Sequence, residues 1–206
     1  MSLSSVSAPN PLPAAWFNRA STVVAPNLLG CLLVRTVQGE TVRGQIVETE
    51  AYEAGDPAMY AYRNKTARNA VVFGPAGVAY IYRIYRQYHC FNIVTDRDGL
   101  ASTVLLRAVD LERYPSWVNP EKEKLPRVGA GPGKLCRALQ LDDSLRGVRI
   151  HPESGLWVEP RPQQIEQKIA AQRITTTQTT RIGLSKGADI PWRWYLSESP
   201  AVSRKK

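Results

Sequence analysis

Histidine and cysteine are scarce in this chain. Its 206 residues include two histidines, His89 and His151, and three cysteines, Cys31, Cys90 and Cys136. No Cys/His spacing matches a zinc site, so the sequence points to chemistry without a metal. The cysteines are odd in number, far apart and set in apolar surroundings. That suits reduced, buried thiols and argues against a disulfide framework. No apolar run approaches the roughly 18 residues of a membrane span. Met1 to Pro13 is rich in Ser, Pro and Ala and carries neither a basic n-region nor an apolar core. It reads as a flexible lead over residues 1–13 with no export signal.

Positive charge is plentiful. Lys and Arg number 27 against 18 Asp and Glu, a formal net charge of +9 with a pI near 9.7. The excess is uneven: residues 1–103 hold nine basic and seven acidic residues, residues 104–206 eighteen and eleven. A polyanionic partner that meets a phosphate-binding face built from the second half follows from this distribution. No basic amphipathic helix is evident, so nucleic acid fits better than a membrane surface. The length suits one core, and neither repeats nor a long linker divide the chain. A main domain over 14–203 and a basic tail over 204–206 complete the organisation.

The pattern along the chain predicts alternating strands and helices. Trp16–Ala20 reads as a short helix, and Leu28–Val34 as a buried run passing from a helix end into a strand. Thr41–Tyr52 reads as a strand ending in Glu48-Thr49-Glu50-Ala51-Tyr52. Glu48 and Glu50 share a face by alternation. Paired acids are poor strand formers, so something other than propensity accounts for them, and a local acid in a basic chain points to chemistry; for Glu48 taken alone, a solvated strand end is the plain expectation. Two strands near 78–84 and 88–95 enclose a turn at Tyr85-Arg86-Gln87, with Tyr80 and Tyr82 on one face. Ser102–Val109 is a further strand. Gly131-Pro132-Gly133-Lys134 is a loop opening a helix whose amides suit an anion. Short strands near 147–151 and 155–159, a helix near 163–171, a polar loop over Thr175–Thr180 and an aromatic strand at Pro191–Leu196 follow. These elements imply an α+β single domain: a curved, mostly antiparallel sheet with a protruding aromatic β-hairpin and surrounding helices.

Chemistry on a base inside a duplex requires a wedge, a flat aromatic pocket and phosphate grips. Hydrolysis of an N-glycosidic bond adds a carboxylate that directs water at an oxocarbenium-like centre. Glu50, Tyr52, the tyrosines 80, 82 and 85, Asn92 and Arg107 supply these types. In that combination the chain resembles the alkyladenine (3-methyladenine) DNA glycosylases of the mammalian alkylpurine-glycosylase type. The resemblance runs from about Phe17 to Ser203. Its strongest pieces are Ile46–Tyr52, Gly77–Asn92, Val104–Ala108, Gly131–Cys136, Arg181-Ile182-Gly183 and Pro191–Tyr195.

The resemblance implies roles residue by residue. Glu50 is the general base that orients water, helped by Arg107 and the main-chain carbonyl of Ile182. Tyr52 and Tyr82 sandwich the flipped base, Asn92 screens the purine edge, and Tyr85 is the wedge. Gly131, Gly133 and Lys134 are phosphate-contact candidates. It also implies a monomer acting on double-stranded DNA with damaged purines, no cofactor, and a cytoplasmic, nucleoid or, in a eukaryote, nuclear location. Two departures stand out. Tyr60 replaces the histidine that lines the family's base pocket, and Arg86 replaces the glycine after the wedge. If that position requires positive φ, Arg86 costs roughly 1–2 kcal/mol; it also adds a candidate phosphate contact. Two rival readings remain open: a non-catalytic nucleic-acid binder that stacks bases on the same aromatics, and a related enzyme serving a different base.

Overall fold

The computed structural model describes residues 8–205. Two short helices, α1 (Ala14–Phe17) and α2 (Ser21–Leu28), precede strands β1 (Leu32–Val37) and β2 (Glu40–Tyr52). The short helix expected over 16–20 therefore ends earlier, and a second helix follows it. Thr22, Val23 and Val24 are β-branched, and Pro26 lies inside α2. Such residues disfavour a helix locally, but burial of Val24, Ala25 and Leu28 holds this one in place. Of the expected lead, residues 1–7 lie outside the described residues. Leu12 is buried and its N–H donates to Val158 at 2.8 Å.

Strands β3 (Ala79–Ile84) and β4 (Tyr88–Val94) pair antiparallel, with Ile84 opposite Tyr88. After β5 (Thr103–Leu111) come helices α3 (Leu125–Val128) and α4 (Pro132–Ala138), strand β6 (Leu156–Glu159) and helix α5 (Gln163–Ala170). Two strands close the chain, β7 (Thr176–Thr179) and β8 (Arg193–Leu196). The polar loop expected over 175–180 is thus largely β7. Its residues, all polar, alternate between exposed and half-buried, so no apolar pattern marks it, and pairing with β8 makes the strand. The strand expected near 147–151 reduces to isolated bridges at Arg149 and His151.

The sheet is curled and antiparallel, ordered β3-β4-β5-β2-β1-β6, with β8 and β7 branching from β2. The branch has a local cause. Along one edge β2 pairs with β5, but the register shifts on both sides of Glu48 and leaves Val47 without a β5 partner. Such a bulge bends a strand and adds twist. The first half of β2 then follows β1, whereas Glu48, Thr49 and Glu50 pair with Tyr195, Trp194 and Arg193 of β8.

Alternation sorts the side chains onto two faces. Ile81, Phe91, Ile93, Val104, Leu106 and Ala51 belong to the main core, with Val24 and Leu28 of α2 and Leu135 and Leu139 at α4. The Thr49 hydroxyl donates to the Ala25 carbonyl at 2.9 Å and ties α2 to this face. Tyr80, Tyr82, Asn92, Leu105, Arg107, Glu48, Glu50 and Tyr52 take the alternate positions. A second, smaller cluster of Met59, Ala61, Val72, Val78, Tyr80 and Val94 forms there, with Tyr52 and Tyr82 packed against it.

Candidate active site

Register brings the sequence-predicted residues into one row. Tyr80 of β3 sits opposite Asn92 of β4, Asn92 opposite Leu105 of β5, Leu105 opposite Glu50 of β2, and Glu50 opposite Arg193 of β8. Arg107 lies two positions beyond Leu105, on the same face. Residues spread over more than a hundred positions of sequence therefore meet on adjacent strands.

Glu50 is completely buried. Its Oε2 accepts from the Tyr52 hydroxyl at 2.8 Å, and its Oε1 accepts from the Ile182 N–H at 2.8 Å. Arg107 Nη1 lies 3.2 Å from the same Oε1. All three partners are donors, so a buried acceptor has its needs met. Burial, then the adjacent Glu50, holds the Tyr52 phenol well above its usual pKa, so it stays a donor. Burial alone would lower the Arg107 pKa, but Glu50 and Glu48 outweigh that and raise it. Ile182 reaches the site through its N–H.

Glu48 is not a solvated strand end. It is fully buried, because β5 and β8 flank it on both sides. Its Oε1 accepts from Arg107 Nε at 2.9 Å, Arg193 Nε at 2.7 Å and Ser203 Oγ at 2.9 Å, and its Oε2 accepts from the Ser203 N–H at 2.7 Å. Burial works against the charge, but Arg107, Arg193 and Ser203 overcome it and hold the carboxyl below its ordinary pKa. Sequence reasoning missed Arg193 and Ser203. An arginine inside the aromatic run Trp192-Arg193-Trp194-Tyr195 was the one available signal, since a buried strand rarely carries an unpaired charge.

Aromatic rings pack on one another on the sheet face that carries Glu50. The rings of Tyr60 and Tyr82 are stacked, with centroids 5.5 Å apart and planes inclined by 21°, and Tyr80 lies 5.3 Å from Tyr82. The Arg68 guanidinium sits 5.5 Å from the Tyr60 ring centre. Burial, then Cys90, pushes the Tyr82 phenol well above its usual pKa. Burial takes the Cys90 thiol to about 11, so it is no nucleophile at neutral pH. Asn92 is buried, and its Nδ2 donates to the Tyr80 carbonyl at 3.3 Å. Beside Tyr60 a polar cleft of about 460 Å³ is lined by Tyr62, Arg63, Arg68 and Lys186. An apolar groove of about 720 Å³ between Leu12 and Ile150 contains none of the predicted residues.

Tyr85 is 83% exposed at the β3–β4 turn. Tyr85 and Arg86 both adopt positive φ, 47° and 63°. The position after Tyr85 therefore does need the left-handed conformation that glycine takes without cost. Gly131 caps α4 with φ of 121°. Gly133 serves a close approach: a Cβ there would lie 2.9 Å from Cδ1 of Tyr88. Lys134 is paired with Glu123, which Arg137 also meets at 2.7 Å. The structure thus brings Glu50, Tyr52, Tyr82, Asn92, Arg107 and Ile182 together with Tyr60. It sets Tyr85 and Arg86 at a turn, and Gly131, Gly133 and Lys134 at α4.

Among the described residues no group of three or more His, Cys, Asp or Glu side chains could hold a metal, and no helix is long and apolar enough to cross a membrane. The site thus combines a buried, arginine-held carboxylate with stacked tyrosines on a basic chain. A sequence model of the methylpurine-DNA glycosylase (MPG) family matches residues 15–200, and the chain belongs to that family. Relatives bearing the name "Putative 3-methyladenine DNA glycosylase" agree. One from Synechococcus sp. (strain JA-3-3Ab) is 50% identical over 194 residues, 91% of this chain and 96% of the relative. Another from Trichodesmium erythraeum is 47% identical over 196 residues, 92% and 95% of the two chains. A third, from Synechococcus elongatus, is 49% identical over 189 residues, 91% and 88%.

Proposed function

We propose that this chain is a monofunctional DNA-3-methyladenine glycosylase of base excision repair. It flips an alkylated or deaminated purine out of duplex DNA and hydrolyses its N-glycosidic bond. The carrying observation is Glu50, a buried carboxylate held by Tyr52, Arg107 and the Ile182 N–H beside aromatic faces.

The bond from the base nitrogen to the sugar breaks, and its electron pair leaves with the base. Water adds to the sugar carbon and gives its proton to Glu50, leaving an abasic site. Arg107 orients Glu50, and the main chain at Ile182 completes the water's surroundings. Tyr52 forms one wall for the base, and Tyr82 with Tyr60 the other. A cationic purine gains about 0.5–2 kcal/mol per good aromatic contact and is already a good leaving group. Asn92 screens the purine edge. Tyr85 fills the gap in the duplex, and its exposure supports that role. Arg86 and the α4 start at Gly131 and Gly133 meet phosphates; Lys134 would first have to leave Glu123.

Glu50→Gln tests the reading. The change keeps size and one acceptor oxygen for the Ile182 N–H and Arg107 but removes the charge and the proton acceptor. Single-turnover excision should fall at least about 100-fold, with binding to damaged duplex retained. Undiminished excision removes Glu50 from the role. A wild-type protein that releases no base from any lesion would instead be a binding module.

A further inference from the structure

We propose that the buried Asp56–Arg181 pair is a positioning clamp that fixes the slot between the Tyr52 and Tyr60 walls and so sets which bases the site accepts. The proposal rests on the glycosylase reading above.

Both side chains are fully buried. Arg181 grips Asp56 in a two-pronged pair, with Nη2 2.9 Å from Oδ1 and Nη1 on Oδ2. The same guanidinium donates to the Ala51 carbonyl at 2.9 Å and the Gly187 carbonyl at 3.2 Å. It therefore joins β2 to the loop that follows Ile182. Its central carbon lies 4.6 Å from the centre of the Tyr52 ring and 5.4 Å from that of Trp192. A guanidinium covering one face of Tyr52 leaves only the other face for a base.

Asp56 carries the opposite wall. Its Oδ1 accepts from the Ala58 N–H at 3.0 Å, and its carbonyl accepts from the Met59 N–H at 2.9 Å. These bonds shape the turn that presents Tyr60 to Tyr82. Arg181 also immediately precedes Ile182, whose N–H holds Glu50. One ion pair thus ties together the back of Tyr52, the loop of Tyr60 and the main chain that orients Glu50. None of its atoms needs to touch the base.

A neutral base is held mainly by contact with the two walls, so it depends on their spacing. A cationic base keeps its longer-range attraction to the aromatic faces and to Glu50 when the fit loosens. Loosening the clamp should therefore penalise neutral bases more than cationic ones.

The experiment compares wild type, Asp56→Asn and Arg181→Lys in single-turnover excision from duplexes carrying 7-methylguanine or hypoxanthine. The hypoxanthine rate should fall about tenfold more than the 7-methylguanine rate in both variants. Amide exchange should quicken together at Ala58, Met59 and Ile182. A parallel loss on both substrates, no loss on either, or faster exchange at Ala58 alone overturns the proposal. If Asp56→Asn unfolds because Arg181 is left unpaired, the double variant Asp56→Asn with Arg181→Gln removes both charges and takes its place. If the wild type releases neither base nor 3-methyladenine, the glycosylase reading fails and the selectivity claim with it, and the linked exchange at 58, 59 and 182 then reports only whether the pair couples the two loops.

Discussion

Glu48 shows how far a residue's neighbours can reverse its expected character. By sequence it is a surface acid; in the fold it accepts four hydrogen bonds and is fully buried. Removing its charge by Glu48→Gln leaves buried Arg193 without its carboxylate and Arg107 with Glu50 alone, and should cost about 3–5 kcal/mol in urea unfolding at neutral pH. The sign of its pH dependence follows from the depressed pKa. In the unfolded chain Glu48 titrates near its ordinary 4.5, and in the fold below it. Its stabilisation is complete above the ordinary value and is lost as pH falls through the folded value. Wild-type stability should therefore drop more steeply below about pH 4.5 than that of Glu48→Gln. Identical slopes would mean that folding leaves the Glu48 pKa unshifted, and a shallower wild-type drop that folding raises it.

The β3–β4 hairpin is the element where sequence and geometry are at odds. Tyr85 and Arg86 both sit in the left-handed region, which costs a residue with a Cβ roughly 1–2 kcal/mol. Arg86→Gly removes that cost at its own position but adds backbone freedom to the unfolded chain. The net gain in stability should be up to about 1 kcal/mol by urea unfolding; a loss would mean that Arg86 makes a contact worth more than its conformation costs. Tyr85→Ala should leave stability nearly unchanged, because the ring is exposed. It should slow excision of a lesion paired with its stable partner more than one in a mismatch, where less stacking is lost on flipping. Equal slowing would assign Tyr85 to general binding.

For the molecule as a whole, charge sets the long-range behaviour. With +9 net, binding to undamaged duplex should be driven by counterion release. If six or more phosphates are contacted, raising salt from about 50 to about 200 mM should weaken that binding by about 10³-fold or more. A nearly salt-independent affinity would place the excess charge away from the DNA. Excision at saturating protein should change far less, because the Glu50 site is buried and screened little by ions.

Sequence alone determined much of this protein. Alternation in Thr41–Tyr52 and in the aromatic stretch from 78 to 95 marked the strands, put Tyr80 with Tyr82 and Glu48 with Glu50, and placed the turn at Tyr85. Those are local properties of a pleated chain, readable from a few neighbouring residues. The ordered motifs carried the family. Tertiary structure decided what each buried charge faces. Ile182 and Glu50 are 132 residues apart, Ser203 and Glu48 155, and Arg181 and Asp56 125. No local period encodes such pairs. They exist because a bulge at Val47 splits β2 between β1 and β8, and the curled sheet then brings the chain's end back against its first strands. β7 belongs to the same group: its polar threonines form a strand because β8 is there to pair with them.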